Sequence, residues 1–300
     1  MSFRSGVVAI VGRPNVGKST LINHVVGQKV TIVSDKAQTT RRRTVAIATT
    51  DDWQIVFVDT PGVHTPRHRL GKALNETAKQ SVRDVDLLLV MVDASKPPSK
   101  DDQDLAAMLR DTGALTEGNK DRAVLCMNKM DLLKAEDVEE RYKAYTSLFQ
   151  CGSEMMTSLK KGQNVDLLVG LLVEHLPEGE PHYDPGMVTD QPMSVLASEL
   201  VREKALMLTR EEVPHSLATY TESWEEENGI AYITVVILVE RAGQKAIVIG
   251  KKGAMLTKIG SEARKEIEQM LGQKVFLELF VKVRSEWRQN ATILRELDYL

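Results

Sequence analysis

A chain of 300 residues is long enough for two domains, each with its own core. With 42% hydrophobic and 27% charged residues and a formal net charge of −3, it reads as an ordinary globular protein, and its overall charge recommends no nucleic-acid partner. Two cysteines exclude a disulfide framework, the N-terminus has no secretory layout, and no apolar run approaches the roughly 20 residues of a membrane span, so the expected compartment is a reducing cytoplasm.

Up to about residue 176, short apolar runs alternate with helical patterns. "GVVAIVG" (6–12), "QIVFVD" (54–59), "LLLVMVD" (87–93) and "AVLCMN" (123–128) are almost continuously apolar, as strands buried on both faces of a parallel sheet are. Helices are expected over Lys18–Val26, Leu70–Ser81, Lys100–Leu109, Ala135–Phe149 and Val165–Glu174. This alternation predicts a doubly wound α/β domain over 1–176.

Directly after the first run, "GRPNVGKS" (12–19) fits G-x-x-x-x-G-K-[ST] and opens a helix. The loop Gly12, Arg13, Pro14, Asn15, Val16 and Gly17, through its backbone N–H groups (Pro14 has none), and the helix start through Thr20 are expected to cradle phosphates. Lys18 would reach the β- and γ-phosphates, and the Ser19 hydroxyl would ligate Mg²⁺. In the polar segment that follows, "QTTR" (38–41) offers a threonine to close on Mg²⁺, Thr40 rather than Thr39. The overlapping "TRRRT" (40–44) is a basic run with three open readings: RNA phosphates, the C-terminal domain, or plain solvation.

The second run ends in "DTPGVH" (59–64), where Asp59, Thr60, Pro61 and Gly62 form a D-x-x-G sensor of the last phosphate, Asp59 on the metal side and Gly62 through its N–H. Many GTPases place a water-orienting glutamine next. Here it is Val63, which has no hydrogen-bonding group and is expected to turn into an apolar nook. Phosphoryl transfer depends mostly on positioning and charge stabilisation, so Lys18, Mg²⁺ and Gly62 still act and turnover is expected to be slow. Asn15, as holder of a K⁺ ion, and His64 are candidate substitutes.

The base is chosen by "NKMD" (128–131). An ionised Asp131 accepts from both N1–H and the exocyclic amine of guanine, whereas adenine offers it a lone pair. Asn128 would tie this loop to the phosphate loop and the Lys129 stem would lie on the base. "TSL" (157–159) stands where a last guanine-contacting loop belongs, with Ser158 and the Leu159 N–H. The expected ligands are therefore GTP and GDP.

Four prolines and two glycines in "PEGEPHYDPGMVTDQP" (177–192) read as a linker over 177–193. Beyond it, over 194–300, the order becomes helix–strand–strand–helix–helix–strand: "LASELVREKALMLTR", "HSLATYTES", "IAYITVVILVE", "QKAIVI", a long amphipathic helix and "VFLELFVKV". The two central helices meet at Gly250-Lys251-Lys252-Gly253, a G-x-x-G turn in a KH layout of the second type. Lys245, Lys251, Lys252, Lys258, Arg264 and Lys265 face Glu262 alone, a net of +5 over 245–265 in an acidic chain.

The phosphate loop, "AQTTRRR", "DTPGVH" and "NKMD" resemble the Ras-like GTPases of the Era group, and "AIVIGKKGAMLTKIGSEARKEIEQMLGQKVFLELFVKV" resembles that group's KH domain. The match runs over essentially the whole chain, with Leu159 in place of the usual alanine as the clear departure. The resemblance implies a cytoplasmic bacterial GTPase that binds the 3′ end of small-subunit (16S) ribosomal RNA and assists assembly of the 30S subunit, associates peripherally with the inner membrane and acts as a monomer. Ordering around Thr40 and Gly62 when GTP is bound is expected to change how the KH domain is held, so that nucleotide state and RNA binding bias one another. Rival readings are an RNA-binding assembly factor with a structural nucleotide site, another ribosome- or tRNA-associated GTPase, and an ATP-dependent kinase or helicase sharing only the phosphate loop.

Overall fold

The computed structural model describes residues 2–36, 39–63 and 68–300 and divides into two compact units. The first comprises Met1–Thr31, Thr40–Arg67 and Gly71–Asp190; the second comprises Ile32–Thr39, His68–Leu70 and Gln191–Leu300.

The first unit is a six-stranded sheet flanked by helices. In chain order its elements are β1 (Arg4–Val11), α1 (Lys18–Val26), β2 (Thr44–Thr49), β3 (Trp53–Asp59), α2 (Arg69–Ser81), β4 (Leu87–Asp93), α3 (Lys100–Asp111), β5 (Ala123–Asn128), α4 (Val138–Phe149), β6 (Ser153–Met156) and α5 (Val165–His175). The sheet order is β2-β3-β1-β4-β5-β6, parallel except for the antiparallel edge strand β2. Two apolar clusters fill the two faces, one around Ile10, Phe57, Leu89 and Leu168, the other around Val11, Val90, Leu125 and Phe149. That double burial is why the four central strands read as unbroken apolar runs. Because β1 is where the winding reverses, the loops at the carboxyl ends of β1, β3, β4 and β5 gather at one sheet edge.

Two strands carry weaker signals. The "TVAIAT" of β2 alternates large and small apolar residues on an edge, and β6 is four residues of mixed polarity, "SEMM". The 177–190 part of the expected linker runs along the first unit's sheet. Ile47 N–H donates to Val188 O at 2.8 Å, Thr189 Oγ1 donates to Val45 O at 2.6 Å, and Gln54 Oε1 accepts from His182 and Tyr183. Its prolines are compatible with this because only selected N–H groups of the segment are required.

The second unit contains α6 (Met193–Leu208), α7 (Val213–Ser216), β7 (Ala218–Glu227), β8 (Ile230–Val239), α8 (Ala242–Ile249), α9 (Ala254–Leu271), β9 (Lys274–Val283) and α10 (Ala291–Glu296). Strand order is β7-β8-β9, the first pair antiparallel and the second parallel. The core joins Ala197, Val201 and Ala205 of α6 to Ile259, Ala263 and Ile267 of α9 and to the odd-numbered residues of β8. The strand expected at "HSLATYTES" instead begins at Ala218, after a helical turn with Pro214 in its first positions, and extends to Glu227. Its glutamates are tolerated because the far end of β7 is exposed. Among the described residues, no helix is long and apolar enough to cross a membrane.

Candidate functional site

The loop after β1 is built around two close approaches. Gly17 has φ 116°, and a Cβ there would stand 2.5 Å from Asn128 Nδ2. Gly12 lies against the β4 backbone, where a Cβ would meet Met91 O at 2.4 Å. Asn15 also takes a left-handed conformation, φ 65°, at the loop's exposed tip, while Val16 is buried and Thr20 faces outward on α1. Lys18 is buried, and its ammonium donates to the carbonyls of Gly12 (2.9 Å) and Arg13 (3.2 Å). Burial lowers its pKa to about 8, only partly opposed by Asp59. A buried cation short of counter-charge is electrostatically prepared for an anion. The Arg13 side chain turns to Asp102 (3.3 Å) and Asp93 (3.8 Å), leaving its backbone to the loop.

Ser19, Thr40 and Asp59 converge. Asp59 Oδ2 accepts from Ser19 Oγ at 2.9 Å and from Thr40 Oγ1 at 3.3 Å, and the two hydroxyls lie 3.2 Å apart. Burial raises the Asp59 pKa despite Lys18, the two hydroxyls and the Thr60 N–H. Its second oxygen, Oδ1, is buried without a hydrogen-bond partner among the described residues. One carboxylate and two hydroxyls, all hard oxygens, suit Mg²⁺, which takes few protein ligands and fills its shell with phosphate and water. Bound there, the ion would neutralise phosphate charge.

The D-x-x-G loop sits hard against the phosphate loop. Thr60 Oγ1 donates to Ile10 O at 2.7 Å, Pro61 is buried, and a Cβ on Gly62 would lie 2.8 Å from Pro14 N. Val63 is 6% exposed and belongs to the cluster of Val11 and Val90. A Val63→Gln variant should therefore lose roughly 1–3 kcal/mol of stability in urea unfolding, the cost of burying an amide without a partner, with no gain in single-turnover hydrolysis. Faster turnover would show that the glutamine reaches the phosphates. His64 lies outside the described residues.

At the base-recognition end, Asn128 Nδ2 donates to Val16 O at 2.8 Å, while its Oδ1 accepts from Leu159 N–H (3.1 Å) and Thr157 Oγ1 (3.3 Å). One amide thus joins three loops. The Leu159 N–H assigned from sequence to the guanine oxygen is here directed at Asn128, because the two strand ends lie side by side. Ser158 Oγ donates to Asp131 Oδ1 at 2.6 Å, and this bond holds the carboxylate below its usual range. Lys129, φ 66°, places its ammonium 2.8 Å from Asp93 Oδ2. Burial pushes Asp93 up, but its bonds to Lys129 and Ser95 outweigh that and keep it low. Asp93 and Thr157 are supporting residues that the sequence reading did not single out. The signal for the first was the aspartate that ends "LLLVMVD".

In the second unit, α8 and α9 meet at Gly250–Gly253. Gly250 (φ 74°, ψ 175°) is in a region only glycine enters readily, and a Cβ there would stand 2.7 Å from Met255 Cβ. Lys251, Lys252 and Lys258 are exposed, and Lys245 is half-buried on α8. Beside the turn runs a groove of about 420 Å³, walled by Leu256, Thr257, Gly260 and Arg264 of α9 and by Leu277 and Leu279 of β9. Those two leucines are partly buried against the core and also line the groove, and Gly260 lets α9 come close to the strand, where a Cβ would meet Leu279 at 3.2 Å. Cations, an apolar trough and glycine backbone suit a single nucleic-acid strand.

A family model described as 50S ribosome-binding GTPase matches residues 7–129, and a KH-domain model matches 212–288. The chain is 45% identical over 299 residues to GTPase Era of Geobacter metallireducens, covering 99% of this chain and 98% of that protein. A crystal structure of a point variant of Aquifex aeolicus Era bound to GDP and aluminium fluoride superposes with a TM-score of 0.91 at 39% identity. Era in complex with MgGDPNP and nucleotides 1506–1542 of 16S ribosomal RNA superposes at 0.92, also at 39% identity. Each superposition covers 99% of both chains.

Proposed function

From its membership of the Era family of GTPases, we propose that this chain is a slow GTP-hydrolysing switch that binds the 3′ end of 16S ribosomal RNA through its KH domain and assists assembly of the small ribosomal subunit. The observation that carries the reading is Asn128, whose one amide locks the phosphate loop to the loops bearing Asp131 and Ser158. In this reading GTP or GDP binds with Mg²⁺ between Ser19, Thr40 and Asp59. Lys18 and the Gly62 N–H hold the γ-phosphate, and Asp131 reads the base. Lys18, already charged in place, stabilises negative charge as the phosphate leaves. With Val63 in an apolar cluster, no side chain at that position orients the water, which supports a low intrinsic rate. A K⁺ ion held by Asn15 is the finer proposal for what raises it, and equal turnover in K⁺ and Na⁺ buffers would remove it.

The RNA follows the Gly250–Gly253 turn and the groove, with Lys245, Lys251, Lys252 and Lys258 on its phosphates. Nucleotide state and RNA binding bias one another through the segment before Thr40. In support, the Arg202 guanidinium of α6 donates to the carbonyl of Thr39, and Glu203 Oε1 accepts from Val33 N–H at 2.8 Å. We place the protein in the bacterial cytoplasm as a monomer acting on 30S precursors, with peripheral contact to the inner membrane.

The test is single-turnover hydrolysis of GTP and ATP by the full chain, together with binding of a 16S 3′-end fragment. GTP alone should turn over, in a Mg²⁺-dependent way. Absence of any hydrolysis would favour an assembly factor with a structural nucleotide site. Lys251→Glu with Lys252→Glu should weaken the RNA fragment and flatten the salt dependence of its affinity by about one unit of slope per lysine, leaving GTP affinity unchanged. Equal loss of both would point to misfolding.

A further inference from the structure

The KH sheet has one face under helices; on the other, Val236 and Leu238 are buried, but the part bearing Tyr232, Phe276 and Phe280 is open. Odd-numbered residues of β8 and Val275 and Val281 of β9 enter the core with α6 and α9. Strand register puts the even-numbered residues on the other side: Glu225 beside Tyr232 beside Phe276, then Thr234 beside Glu278, then Tyr220 beside Val236 beside Phe280. Phe276 and Phe280 are 53% and 49% exposed and Tyr232 is 40% exposed. Two of the chain's five phenylalanines thus stand on one open surface, and Phe276 and Tyr232 already touch, ring centroids 5.7 Å apart. Scattered apolar exposure is ordinary, but a contiguous aromatic patch marks a contact surface.

Its charge narrows the occupant. Glu222, Glu225, Glu227 and Glu278 share this side with Lys274 and Lys282, four carboxylates against two ammoniums, and Lys282 is already paired with Glu222. The turn at Gly250–Gly253 carries the opposite sign. RNA phosphates and anionic lipid are repelled from the acidic face, and so is a second copy presenting the same face. A cationic protein segment with apolar side chains satisfies both the aromatics and the glutamates.

We propose that the open part of this face of β7, β8 and β9 docks a Lys/Arg-rich, apolar-bearing segment of a basic protein partner, apart from the RNA groove of the same domain. The surface goes beyond the switch reading above and does not depend on it.

The probe is a fluorescent peptide of alternating lysine and leucine, titrated into the full chain, with an aspartate–leucine peptide as control. Saturable binding of the cationic peptide alone is expected. Phe276→Thr with Phe280→Thr should weaken it by about tenfold or more, the effect of losing aromatic anchors at an interface centre. Glu225→Lys with Glu278→Lys should weaken it similarly. Both double variants should keep normal GTP turnover and 16S-fragment binding, which reports that they fold. Lys251→Glu with Lys252→Glu should leave the peptide unaffected. Unchanged peptide affinity in the aromatic variant overturns the proposal. Loss of RNA-fragment binding in that variant would instead make the face an RNA platform, and a parent dimer in sedimentation equilibrium that the variant lacks would make it a self-interface. Either result also overturns it.

Discussion

An Asp131→Asn variant should bind GTP on the order of a thousandfold more weakly than the parent chain, because a site built on hydrogen bonds rejects a ligand that leaves its polar groups mismatched. The carboxylate accepts two hydrogen bonds from guanine, whereas the asparagine amide offers a donor where guanine also donates. Xanthine carries a carbonyl in place of the exocyclic amine, so the variant should gain affinity for xanthosine triphosphate. Competition titration with the three nucleotides measures the exchange, and a variant that keeps its GTP affinity would remove Asp131 from base recognition. A pH signature accompanies this. Ser158 Oγ, 2.6 Å from Asp131, lowers the carboxyl's pKa. Only the ionised form pairs with guanine, so affinity is complete above that pKa and is lost as pH falls through it. Ser158→Ala lets the pKa rise, and its loss of affinity should begin at a higher pH than in the parent. Superimposable affinity–pH curves would mean that Ser158 does not tune the base reader.

Lys18→Ala should lower single-turnover hydrolysis by roughly 10²–10³-fold, the effect of removing one preorganised donor to developing transition-state charge. Nucleotide affinity should fall as well, because Lys18 is the buried cation of the phosphate loop. Without ligand, the variant should unfold no earlier than the parent. The fold holds the Lys18 ammonium against desolvation, as its pKa of about 8 records, so removing it relieves a cost while losing two bonds to carbonyls. Thermal unfolding with and without GTP separates the two effects. The parent should gain stability as nucleotide concentration exceeds Kd, and the variant should gain much less. A large fall in ligand-free stability would make Lys18 a structural residue first.

How much was legible in the sequence differs between elements and for physical reasons. The four central strands of the first unit were readable because burial on both faces leaves an apolar run that composition alone displays. The phosphate loop, D-x-x-G and NKMD were readable because each function is executed within a few consecutive residues, whose identity is dictated by backbone approach or by a single carboxylate. The G-x-x-G turn and its lysines are local in the same way, and so is the absence of a side-chain hydrogen-bonding group at Val63.

Only the folded chain decided how these pieces meet. Asn128 belongs to one motif but works by bridging to Val16 and Leu159, contacts 112 and 31 residues away in sequence. Asp93 became part of the base-side scaffold because β4 ends beside β5. β2 needed β3 to be recognised as a strand, since an edge strand of alternating large and small residues has little signal of its own. The same holds for β9: its period-two pattern announces two faces, but the placement of α9 decides that Leu277 and Leu279 wall a groove while Phe276 and Phe280 remain exposed. Sequence fixes which groups are available, while their long-range juxtaposition depends on sheet order and helix placement, and those follow from burying all the apolar faces at once.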